Sequence, residues 1–121
     1  MERILKKGEG WRLGWQPQGG AFPALVGGED WAIELTAAEW ADFQRLLMQL
    51  GEAIAQIAPE LMPEEHLNCT VESETLWLEA DGTAAAYSLR LILNTGRRAE
   101  GNWPPQAIAG LQQGMQMLTV F

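Results

Sequence analysis

Residues 36–61, TAAEWADFQRLLMQLGEAIAQIAPEL, carry the reading on which the fold depends. Apolar residues fall at Trp40, Phe43, Leu47, Leu50, Ile54 and Ile57, in steps of three and four that keep them on one side of an α-helix. Thr36 and Glu39 stand at the capping-box spacing, so a hydroxyl and a carboxylate can each take one orphan backbone N–H. Leu35 and Trp40 occupy the hydrophobic-staple positions, which set the angle at which the chain joins the helix. Pro59 has no N–H to give and ends the regular helix, leaving Glu60–Met62 as a ragged last turn. The spacing predicts a helix over 37–58, a rod of about 33 Å at 1.5 Å per residue.

Working outward from that helix, the preceding residues read as strands. Met1–Lys7 suggests a short strand or an ordered arm, and Gly8–Gly10 a turn. Trp11–Trp15 alternates, Pro17–Gly20 breaks the pattern, and Phe22–Val26 forms a second strand closed by Gly27, Gly28, Glu29 and Asp30. Trp31–Leu35 alternates again and runs into the helix cap. Beyond the helix, Pro63–His66 is an acidic connector, and Leu67–Val71 and Thr75–Ala80 are strands. Asp81-Gly82 is a hairpin pair, followed by a strand over Ala85–Leu93 and a polar loop over Arg97–Asn102. Trp103-Pro104-Pro105 opens a last helix over Gln106–Leu118, with Ile108, Leu111, Met115 and Leu118 as its apolar stripe. Gly110 and Gly114 weaken that helix, which therefore depends on its packing partners.

Two consecutive β-β-β-α units predict an α+β fold of one domain, residues 1–121, with an antiparallel sheet and both helices packed on one face. Alternation turns Trp31, Ile33, Leu35, Leu67, Cys69, Val71, Leu76, Leu78, Tyr87, Leu89 and Leu91 towards the helices. The opposite face receives Arg12, Glu34, Thr70, Glu72, Trp77, Glu79, Ser88 and Arg90, among which Trp77 is a large aromatic flanked by carboxylates.

Hydrophobic content of 47% with 20% charged residues describes a soluble globular protein. No apolar run approaches a membrane span, and Met1–Lys7 has charges where a signal peptide needs an apolar core, so a cytoplasmic setting is expected. The single cysteine, Cys69, excludes an intrachain disulfide and suits a reducing compartment. Net charge is −8, but the excess acid lies between residues 21 and 80, where twelve carboxylates face one cation, Arg45. Both ends are mildly basic. A pI near 4.5 excludes a general nucleic-acid binder, which needs clustered Lys and Arg, and leaves room only for a local basic strip.

No catalytic array is present, and no cofactor or metal is expected. His66 and Cys69 are two single residues where zinc needs three or four ligands. The glycines at 8–14 and 27–28 open no phosphate loop and read as turns. Glu64-Glu65 and Glu72/Glu74 have no nucleophile or oxyanion donor beside them and read as a solvated acidic face. Six tryptophans are many for 121 residues; Trp31 and Trp40 fit the core, whereas Trp11, Trp15, Trp77 and Trp103 are open to an aromatic binding surface. Gly96–Trp103 combines Arg97, Arg98, Glu100 and Trp103 in one loop, which presents a planar cation beside an aromatic face. The plainer alternative pairs Arg97 and Arg98 with the acidic connector and uses Trp103 to staple the last helix.

Four strings, Trp11–Trp15 (WRLGW), Leu25–Thr36 (LVGGEDWAIELT), Glu60–Met62 (ELM) and Gly96–Trp103 (GRRAEGNW), closely resemble a cyanobacterial family of small proteins classed as a domain of unknown function. The resemblance covers nearly the whole chain. It implies a fold grouped with the Whirly-like single-stranded-DNA-binding regulators, which repeat a sheet-then-helix unit with four strands, and Met1–Lys7 could supply one of the missing strands. It carries over no catalytic residue.

These observations lead first to a non-catalytic accessory or interaction protein of a photosynthetic cell, with a protein as partner, no membrane contact, and room for a homo-oligomer. The interaction surface is drawn from Arg12, Trp15, Trp77, Arg90, Arg97, Arg98 and Trp103. The alternative is weak single-stranded nucleic-acid binding, in which Lys6, Lys7 and Arg12 would join Arg90, Arg97 and Arg98 along one edge beside a stacking tryptophan.

Overall fold

The computed structural model describes residues 3–119, so Met1 and Glu2 of the expected N-terminal arm lie outside it. Among these residues β1 (Ile4–Gly8), β2 (Trp11–Trp15), β3 (Ala24–Gly27) and β4 (Ala32–Leu35) form one antiparallel sheet in chain order. Helix α1 (Ala37–Ile57) follows, and a second antiparallel sheet is built in the same order from β5 (Leu67–Glu72), β6 (Leu76–Gly82), β7 (Tyr87–Leu93) and β8 (Glu100–Trp103). Helix α2 (Pro105–Thr119) completes it. The fold is α+β with two successive sheet-then-helix units. Each unit has four strands rather than three, and the units keep separate sheets instead of sharing one.

The two added strands have different origins. β1 comes from the suggested arm and pairs with β2 from Ile4↔Trp15 to Gly8↔Trp11. β8 occupies residues expected to be polar loop. Glu100-Gly101-Asn102 has little strand propensity, but β7 offers it an open edge and it pairs from Ile92↔Glu100 to Leu89↔Trp103. The hairpin also differs by two residues. Asp81 and Gly82 stay in the ladder opposite Ser88 and Tyr87, and the chain reverses through Thr83–Ala86. Gly82 is still required there, at φ 146°, because an added Cβ would fall inside 3.0 Å of the Ala86 carbonyl.

The capping box on α1 forms as its spacing indicates: Thr36 N donates to Glu39 Oε1 at 2.8 Å and Glu39 N donates to Thr36 Oγ1 at 3.1 Å. Pro59 converts the end of α1 into a 3-10 turn over Ala58–Glu60. The buried face holds Trp40, Phe43, Leu46, Leu47, Leu50 and Ile54, whereas Ile57 is half-buried.

Each helix reaches across to the sheet of the other unit. α1 lies against β5 and β6 of the second sheet, and α2 lies against β1 and β2 of the first as well as β7. Leu13, Val26 and Leu35 of the first sheet therefore share one core with Leu78, Leu89 and Leu91 of the second, with Phe43 and Leu111 between them. Burying each such side chain stabilises the fold by about 1.5–3 kcal/mol before entropy is counted. Gly110 and Gly114 of α2 have a packing reason. Trp11 lies across both, and a Cβ on either would fall inside 3.0 Å of its indole. Among the described residues no helix is long and apolar enough to cross a membrane.

Candidate interaction surfaces

Two of the interaction residues singled out from the sequence, Trp103 and Arg97, join the two units to each other, and Arg12 braces the first unit beside that seam. Trp103 is fully buried, and its indole N–H donates to the Gly27 carbonyl at 2.8 Å. It cannot belong to a surface, because β8 turns it inward to pack on Phe43 and Trp31, with ring centroids at 5.8 and 4.9 Å. Arg12 donates through Nε to Gly28 O at 3.2 Å and through a terminal nitrogen to Trp31 O at 2.8 Å, fixing the β3–β4 turn. Trp31 in turn lies over Gly101 of β8, where no side chain competes for the space, and donates to Asn102 O at 3.1 Å.

Arg97 closes the same seam. It forms an ion pair with Glu39, donates to Glu34 O at 2.6 Å, and sets its guanidinium 4.6 Å from the Phe22 ring centre. Glu39 is 1% exposed and also accepts from the Thr95 hydroxyl at 2.9 Å, so the carboxylate that caps α1 holds the β7–β8 loop as well. The partner of Arg97 is thus the helix cap and not the acidic connector. Arg98, beside it, is exposed with φ 56°. Trp15 stacks on Trp40 at 5.9 Å. The basic strip imagined from the two chain ends is not assembled, because β1 and β2 pair within their own sheet and Arg90 forms its ion pair with Glu100 at 3.0 Å.

Trp77 and Arg90 do come together. The register of the second sheet sets Glu72, Trp77, Ile92 and Glu100 in one row across its outer face, and Thr70, Glu79, Arg90 and Asn102 in the next. Trp77 is partly exposed, and among the described residues its indole N–H has no hydrogen-bond partner. Four carboxylates (Glu72, Glu79, Asp81 and Glu100) face one arginine here, so the field is negative. At the far end Asn68 donates to Glu79 at 2.9 Å and Asp81 at 3.1 Å, and His66 Nε2 lies 2.9 Å from Asp81. The Asn68 bond, followed by that of His66, holds the Asp81 carboxyl below the usual range.

The helix layer supplies a surface that sequence reading did not find. A hollow of about 410 Å³ opens between the second half of α1, α2 and the β6–β7 turn, lined by Leu47, Met48, Ile54, Tyr87, Gln112 and Met115 among others. A second, of about 330 Å³, continues along α1 past Gln44, which lines both, to Ala41, Trp40, Ala37 and Trp15. Its lining comes from several separate segments, so no local pattern announces it. No cluster of His, Cys, Asp and Glu able to hold a metal ion occurs among the described residues.

Residues 6–118 match the family described as domain of unknown function DUF1818. Among solved structures, a crystal structure of a protein from Prochlorococcus sp. NATL2A, described as of unknown function and of the DUF155 family, is similar at 30% identity with a TM-score of 0.90. The match covers 95% of this chain and 98% of that one. Among curated proteins, none matches.

Proposed function

The chain belongs to the DUF1818 family, a domain of unknown function, and we propose that it is a non-catalytic interaction protein of a photosynthetic cell that takes a basic segment of a protein partner on the outer face of its second sheet. The observation that carries this reading is Trp77, a partly exposed indole between Glu72 and Glu100 on a negative face. A lysine or arginine side chain laid on that ring gains a cation–π contact of about 0.5–1 kcal/mol at a partly exposed site, and the flanking carboxylates supply the long-range attraction.

The test is a titration with a lysine- and arginine-rich peptide at low and moderate salt, followed by tryptophan fluorescence. Binding should weaken as salt is raised. Trp77→Ala should cost about 1 kcal/mol, roughly fivefold in Kd, while Arg98→Ala should leave binding unchanged or tighter. Absence of binding at low salt would refute the reading.

Single-stranded nucleic-acid binding is the second reading. The Whirly-like resemblance supports it, as does the pairing of Lys7 opposite Arg12 on the outer face of the first sheet. An oligo-dT titration under the same conditions separates the two. Salt-sensitive quenching lost in Lys7→Ala, with the basic peptide inert, would replace the first reading by the second.

A further inference from the structure

The groove between α1 and α2 is distinct from the Trp77 face, and we infer that it docks a second copy of this chain, with the two α1 helices antiparallel about a two-fold axis. Charge is the first argument. The chain carries sixteen carboxylates and eight cations, yet residues 104–121 have none of either. The two hollows that make up the groove are lined by one charged residue, Glu52. Interface centres are depleted of charge and enriched in methionine, and Met48 stands in this groove 51% exposed. A partner chosen for opposite charge would be met by carboxylates, as on the Trp77 face. A second copy, itself at −8, is repelled least where charges are missing, and any group that sits on a two-fold axis meets its own image.

The order of residues along the groove is the second argument. Of the α1 residues that line it without being buried, all but Glu52 (Ala37, Ala41, Gln44, Met48, Gly51 and Ala55) follow at steps of four, three, four, three and four, the spacing that lets a helix pack along a helix. Their sizes run small, small, long, long, small, small. Reversing that order about the midpoint between Gln44 and Met48 returns the same pattern, as an isologous antiparallel contact requires. Gln44 then lies opposite the partner's Met48, and Ala37 opposite the partner's Ala55.

Sedimentation velocity over a concentration series tests this on the full chain. The mass should rise with concentration from 13.4 kDa towards twice that value. Met48→Glu should remain monomeric, because it places two carboxylates near the axis. An equimolar mixture of Met48→Glu with Gln44→Lys should dimerise again, since one lysine then faces one carboxylate. Ala55→Glu, also at an exposed position, serves as a second disrupting variant, and thermal melts of dilute protein report whether each variant is folded. A wild type that stays at 13.4 kDa throughout, folded variants that still dimerise, or a mixture that fails to recover the dimer would each overturn the proposal.

Discussion

The two helices occupy equivalent places in the two units and are specified in opposite ways. α1 carries its own instructions: a capping box, a continuous apolar stripe, and a buried carboxylate that binds Arg97 and Thr95 at its first turn. α2 has no charge to place and two glycines in its interior, and it is held by what it covers, above all by Trp11 across Gly110 and Gly114. A helix can therefore be written into its own segment or into the surface it packs against, and only the first kind is legible locally.

The largest effect should come from cutting the shared core at equivalent places. Leu50→Ala in α1 and Leu111→Ala in α2, both almost wholly buried, should each lower stability by about 2–5 kcal/mol, read from urea midpoints. A much smaller loss for Leu111 would mean that α2 is the looser of the two. Next, Glu39→Ala should cost about 2–3 kcal/mol, less than the loss of a fully buried partner because Arg97 keeps a third of its side chain in water. Thr36→Ala, which removes only the cap, should cost about 1 kcal/mol.

Glycine substitutions sharpen the contrast further by changing sign. On propensity alone Gly→Ala within a helix stabilises by about 0.5–1 kcal/mol. Gly51→Ala in α1 should follow that rule in sign but fall short of the full gain, because the end of Gln112 at 3.0 Å can shift but is bonded to Tyr87. Gly114→Ala in α2 should instead destabilise by about 1–3 kcal/mol, since the new methyl meets the Trp11 ring. Thermal melts of the two variants moving the same way would show that the notch under Trp11 is not tight.

The smallest effect concerns Asp42, half-buried where α1 meets the β5–β6 turn. It accepts from the Thr75 hydroxyl at 2.6 Å, the Ser73 hydroxyl at 2.8 Å and Arg45 at 3.2 Å, and these bonds, Thr75 first, hold its carboxyl below the usual range. In the interval between the lowered folded value and the ordinary 3.8, the unfolded chain binds the extra proton. The contribution is thus fully present above 3.8 and is lost as pH falls through the folded value. Asp42→Asn should flatten this part of the stability profile, measured by urea unfolding from about pH 5 to about pH 2.

What was legible follows the same division. α1 and the central strands announced themselves through period and capping, and alternation put Trp77 and Arg90 on one outer face. β8 was not legible, because Glu100-Gly101-Asn102 reads as loop until Trp31, about seventy residues earlier, is seen to need the space over Gly101. Trp103 looked exposed for the same reason: its neighbours in sequence are polar and prolyl, while its neighbours in space are Phe43 and Gly27. The α1–α2 groove was not legible as a whole, since Tyr87, Gln112 and Met48 belong to three elements and its row on α1 is of small and polar residues with one methionine, not an apolar stripe.

The reach of each helix onto the other unit's sheet also matters during synthesis. A ribosome that has made the first sheet and α1 has made a sheet with only part of its cover and a helix with only part of its bed. α1 waits for β5 and β6, and the first sheet waits for α2, the last element to emerge. Neither unit therefore has its full packing before the other is made, unlike successive domains of a nascent chain. One of the bonds that tie them, Trp103 to Gly27, spans 76 residues, a separation that slows folding. Until α2 arrives, the part of the first sheet around β1 and β2 lacks the surface that covers it in the finished molecule.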